Sequence, residues 1–199
     1  MGYDTDFYGA ISIDKPLDEE TANYLIRFSE TRRMARNLPP EYGVEGEYYV
    51  DGRGFAGQEH EDNIINYNQP PKTQPGLWCK WIPSDDRKAI VWDEGEKFYK
   101  ADEWMMYIID NFLAPKGYVC NGTIEAQGEE VNDHWWIKVT NNKVESLSLE
   151  DVIQKAEAFD VLMTKQEELP LLVGTNLSNQ AKNILQMRLD GTLKISLKD

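Results

Sequence analysis

The chain has 199 residues, with 35 acidic against 21 basic side chains and a formal charge of −14. Phosphate backbones and anionic membrane surfaces repel such a chain, which argues against direct nucleic-acid or membrane binding. At 41% hydrophobic and 11% aromatic it can bury a core, and it does not have the composition of a disordered chain.

The sequence opens without a basic segment or an apolar run, so no secretory signal is expected. Apolar runs such as 104–109 fall far short of the roughly 18 residues of a membrane span. The expected compartment is cytoplasmic, and Cys79 and Cys120 read as buried free thiols rather than a disulfide.

Residues 3–13 alternate, with Phe7, Gly9, Ile11 and Ile13 on one side, and predict a first strand. Asp18, followed by Glu19 and Glu20, predicts the capped start of a helix decaying near Arg36. Residues 37–76 hold many Pro and Gly and lack periodicity, although 47–50 reads as a strand. Their tyrosines, Phe55 and Ile64-Ile65 argue for an ordered loop that covers part of the sheet.

Residues 77–83 predict a strand, with Leu77, Cys79 and Trp81 on one face and Trp78, Lys80 and Ile82 on the other. A turn at 84–87 leads into a returning strand, 89–92. A helix starting at Lys97 or Ala101 carries Trp104, Tyr107, Ile108 and Phe112 and stops at Pro115 and Gly117. Three more strands follow at 118–127, from Trp135 to Val139, and at 143–147. The order β-α-loop-β-β-α-β-β-β predicts an α+β domain, a mainly antiparallel sheet with two helices on one face.

Composition changes near residue 146, and only one aromatic, Phe159, lies beyond it. Residues 147–199 hold 8 acids and 6 bases, so the first 146 carry −12 of the −14. The reading is a domain at 1–146 and a C-terminal helical appendage at 147–199, arranged helix, helix, short strand.

Several irregular stretches share a likeness: Met1-Gly2-Tyr3-Asp4-Thr5-Asp6-Phe7, Asn66-Tyr67-Asn68-Gln69-Pro70-Pro71, and Gln74-Pro75-Gly76-Leu77-Trp78-Cys79-Lys80-Trp81. Together with Glu96-Lys97-Phe98-Tyr99 and Phe112-Leu113-Ala114-Pro115, they resemble a group of short, uncharacterised proteins of bacteria and their phages. The resemblance covers about residues 1–145 and implies no activity.

No pattern calls for a metal or cofactor. Gly52-Arg53-Gly54-Phe55-Ala56-Gly57 spells a dinucleotide motif but neither follows a clear βα entry nor opens a helix. His60 and His134 have no ligand-like spacing. Glu94, Glu96 and Glu125 are candidates for paired acid–base carboxylates, although chance pairing is common in so acidic a chain. Trp78, Trp81 and Tyr99 belong to an aromatic set that forms either a Trp-rich core or the walls of a cleft. In the second case Asn68, Gln74 and Lys97 would supply polar contacts, and Arg32 and Arg33 would take an anion.

Two binding functions and one enzymatic function follow. The first is a non-enzymatic, phage-type acidic protein that docks on the basic surface of a host or defence protein and modulates it. The second is a small-ligand binder with an aromatic-walled cleft for a nucleotide-type molecule. The third is a hydrolase or transferase that uses Glu94, Glu96 or Glu125.

Overall fold

The computed structural model describes residues 3–51 and 61–152. In chain order the elements are strand β1 (Thr5–Ile13), helix α1 (Glu19–Glu30), and short strands β2 (Ala35–Arg36) and β3 (Ile64–Asn66). Strands β4 (Trp81–Pro83) and β5 (Ala89–Trp92), helix α2 (Ala101–Ile108), and strands β6 (Cys120–Gly128), β7 (His134–Thr140) and β8 (Lys143–Ser148) follow. Six strands form one sheet in the order β4-β5-β1-β6-β7-β8, antiparallel at every junction. This is the α+β architecture predicted from the pattern. Among the described residues, no helix is long and apolar enough to cross a membrane.

β1 is the hub of the sheet. It pairs with β6 along its whole length, from Thr5↔Gly128 to Ile13↔Cys120. It pairs with β5 only at Ile11↔Ile90 and Ser12↔Ala89, so the two strands part toward Phe7. Two glycines let β1 and β6 approach closely. A Cβ at Gly9 would lie 2.7 Å from the Thr123 carbonyl oxygen, and one at Gly122 would lie 2.6 Å from that of Ala10.

One sheet face carries Phe7, Ile11, Ile13, Ile124, Ala126, Ile137 and Val139 into the core. Leu25 and Phe28 of α1 and Trp104, Met105 and Ile108 of α2 complete it. Each buried Ile, Leu, Val, Phe or Met among them contributes about 1.5–3 kcal/mol on leaving water. Asp18 caps α1: its carboxylate accepts from the Thr21 amide (2.7 Å), the Thr21 hydroxyl (2.8 Å) and the Tyr118 hydroxyl (2.9 Å).

Three expectations are corrected. Helix α1 ends at Glu30 rather than near Arg36. Thr31 is extended (φ −96°, ψ 123°); its hydroxyl donates to the Arg27 carbonyl (2.6 Å) and accepts the Asp51 amide (2.7 Å). The expected strand at 47–50 is absent, and the described part of the long segment pairs instead through β2 and β3. Arg33 explains this, because its guanidinium takes the Glu47 (2.9 Å) and Tyr49 (2.7 Å) carbonyls that a neighbouring strand would need. The strand expected at 77–83 shortens to β4, because the Leu77 carbonyl accepts from the Arg33 amide (2.9 Å) instead of a sheet neighbour.

The compositional boundary at 146 falls inside β8, whose Leu147 is buried opposite Trp136. The helices and strand expected beyond residue 152, the Gly52–Gly57 motif and His60 lie outside the described residues.

Candidate functional site

Beside the sheet edge at β4 lies a groove of about 670 Å³. Its lining includes Arg32, Asn68, Trp78, Lys97 and Tyr99, five of the residues proposed for ligand binding. Lys80, Lys100 and Glu96 complete its charged groups, giving four cations to one carboxylate in a chain of net −14. Cations thus outnumber carboxylates along this lining, the reverse of the whole chain, although Lys100 is paired with Glu103 (3.3 Å).

Two segments build it. The first runs from Arg32 through the 66–78 turns. The Arg32 Nε donates to the Tyr67 carbonyl (3.1 Å) and Nη2 to Asn68 Oδ1 (3.2 Å). Its guanidinium lies over the Tyr67 ring (4.1 Å to the centroid), with Trp78 at 5.8 Å. Arg32 therefore braces an aromatic wall as well as adding charge.

The second segment, 94–100, is held in an uncommon backbone. Glu94, Lys97 and Lys100 all have left-handed φ, at 61°, 58° and 56°. Phe98 is buried and packs edge-on against Trp81 (5.1 Å) and Phe7 (5.6 Å). The Lys97 amide donates to the Asp4 carboxylate (3.0 Å). With Phe98 plugged into the core, Lys97 and Tyr99 on either side turn toward the groove, and Tyr99 is 59% exposed. Any side chain at Gly95 would collide with the Lys80 ammonium. Such left-handed residues each cost about 1–3 kcal/mol and persist where the surrounding structure enforces them, characteristically at binding sites.

The other proposed ligand contacts lie elsewhere. Trp81 is sealed in the core at 1% exposure, its indole N–H donating to the Ala101 carbonyl (2.8 Å). Arg33 is equally buried, and burial pulls its guanidinium down to about 10. Gln74 bonds inward, its amide donating to the Glu47 carbonyl (2.7 Å) and the Tyr107 hydroxyl (3.0 Å) and its oxygen accepting from Arg33 (3.3 Å). Burial raises that Tyr107 hydroxyl to about 12. Gln74 also lines a neighbouring cavity, with Thr73, Pro75 and Tyr107.

The three carboxylates proposed for catalysis are separated. Glu96 lines the groove. Glu94 lines a different cleft, with Asp6, Tyr8 and Trp92. Glu125 is buried on β6, 2.7 Å from His134 Nε2, and the His134 ring stacks on Trp136 (4.8 Å). Lys80 and Lys100 were not among the proposed contacts. Lys80 was readable as the outward position between Cys79 and Trp81, whereas Lys100 carries no sequence signal beyond its place before a helix.

Compared with protein-family models, curated proteins and solved structures, the chain matches none.

Proposed function

We propose that the protein binds an anionic, planar, nucleotide-type small molecule in the Arg32–Trp78–Tyr99 groove. The observation that carries this reading is the charge inversion: four cations and two exposed-edge aromatics gathered in one concavity of a strongly acidic chain. A base stacks on Trp78 or Tyr99, and phosphates meet Lys80, Lys97 and Lys100. Nothing in this reading requires turnover. Calorimetric titration with a nucleotide panel tests it. Binding is expected, and Trp78→Ala should weaken it about tenfold, the usual worth of one aromatic–base stack. A panel that leaves the protein cold, or an affinity indifferent to both Trp78→Ala and Tyr99→Ala, refutes it.

A second reading, docking on a basic protein, is favoured by the opposite kind of site. Where β1 and β5 part, Asp6, Tyr8, Trp92 and Glu94 line a cleft of about 580 Å³. Two carboxylates beside two aromatic rings suit an arginine or lysine side chain. A basic model peptide should bind at low salt and lose affinity in an Asp6→Asn, Glu94→Gln double variant. Equal binding by both proteins, or binding insensitive to salt, would count against this surface.

A further inference from the structure

The groove does not end at Lys100. A second chamber of about 390 Å³ shares Pro75 and Lys100 with it and continues along α2 to Asp110 and Asn111. Its chemistry differs from that of the first chamber. The groove presents rings and cations; the second chamber adds the carboxylates Glu103 and Asp110 and the neutral groups Thr73, Gln74 and Asn111 to its own lysines, Lys72 and Lys100. Lys100 stands at the junction, its ammonium 3.3 Å from Glu103 Oε2.

Two observations make the far end more than surface. Asp110 and Asn111 lie on a π turn, Ile109–Leu113, which interrupts the α-helical register directly after α2. Such turns recur at functional sites because they re-aim side chains that a regular helix would direct elsewhere. Asn111 is also fixed: its Nδ2 donates to the Tyr107 carbonyl (2.9 Å), which leaves Oδ1 as an acceptor. An exposed carboxylate next to an oriented amide acceptor matches the hydroxyls of a sugar, as acidic residues do for ribose in dinucleotide sites. The first chamber alone already falls within the range of a drug-sized ligand.

We propose, building on the groove reading above, that the ligand is a nucleoside diphosphate joined to a second sugar. The base lies in the groove, the diphosphate at Lys100, and the sugar hydroxyls on Asp110 and Asn111. Calorimetry with the full chain compares ADP with ADP-ribose, and UDP with UDP-glucose. At least one conjugate should bind about tenfold more tightly than its diphosphate, the worth of one hydrogen bond to a charged group. An Asp110→Ala, Asn111→Ala double variant should erase that advantage and leave diphosphate affinity unchanged. Conjugates no tighter than diphosphates in the wild type, or an advantage that survives the double variant, would overturn the inference while the groove reading stands. If none of the four ligands binds, the groove reading falls and takes this inference with it.

Discussion

At the residue scale, Lys97 carries both a cost and a use. Its left-handed backbone is one that a Cβ disfavours, by about 1–2 kcal/mol, yet the buried Phe98 and the Asp4 carboxylate hold it there. Lys97→Gly should therefore be more stable than Lys97→Ala by about 1 kcal/mol, read from urea denaturation midpoints. Both variants should weaken an anionic ligand to the same degree, since both delete the ammonium. Equal stability of the two would show that the backbone is unstrained. The same scale explains where sequence reasoning stopped. Arg32 and Arg33 looked like one anion-binding pair at a helix end. The chain is already extended there, and successive side chains of an extended chain point opposite ways. Arg32 faces the groove, and Arg33 goes inside to hold the Glu47 and Tyr49 carbonyls.

At the element scale, the cap of α1 offers a pH signature. Hydrogen bonds from the Thr21 amide and hydroxyl and from the Tyr118 hydroxyl hold the Asp18 carboxyl at about 2, below its ordinary 3.8. A carboxyl depressed in the folded state stabilises above its unfolded value, and that contribution is lost as pH falls from about 4 toward 2. Asp18→Ala should cost about 1 kcal/mol near neutral pH, the common worth of an N-cap, and the gap to the wild type should narrow toward pH 2. Thermal melts across that range measure it, and a gap independent of pH would mean that the charge is not what caps the helix. Periodicity reads such elements well when they are regular: β5, the start of α1 and the sheet faces of β1 and β6 all lay in the pattern. It failed at 47–50 and 77–80, because those backbones are decided by Arg33, whose guanidinium takes the Glu47 and Tyr49 carbonyls and whose amide takes the Leu77 carbonyl, a residue no local window contains. The π turn after α2 was equally invisible, since apolar spacing there still reads as helix.

At the scale of the whole molecule, charge and topology each divide the protein in a way composition alone hides. The first 146 residues carry −12, yet four cations meet in one groove while Asp6 and Glu94 face another cleft. Alternation showed which face of each strand turned inward but not which strand stood beside which. The central strand β1 touches β5 at only two positions; its full-length partner is β6. That pairing shapes life on the ribosome. β1 is made long before Cys120 and Gly128 emerge, so through most of synthesis its backbone waits without its full-length partner strand. Asp4, Asp6 and Asp14 sit in and beside that waiting strand, where charge disfavours pairing between nascent chains.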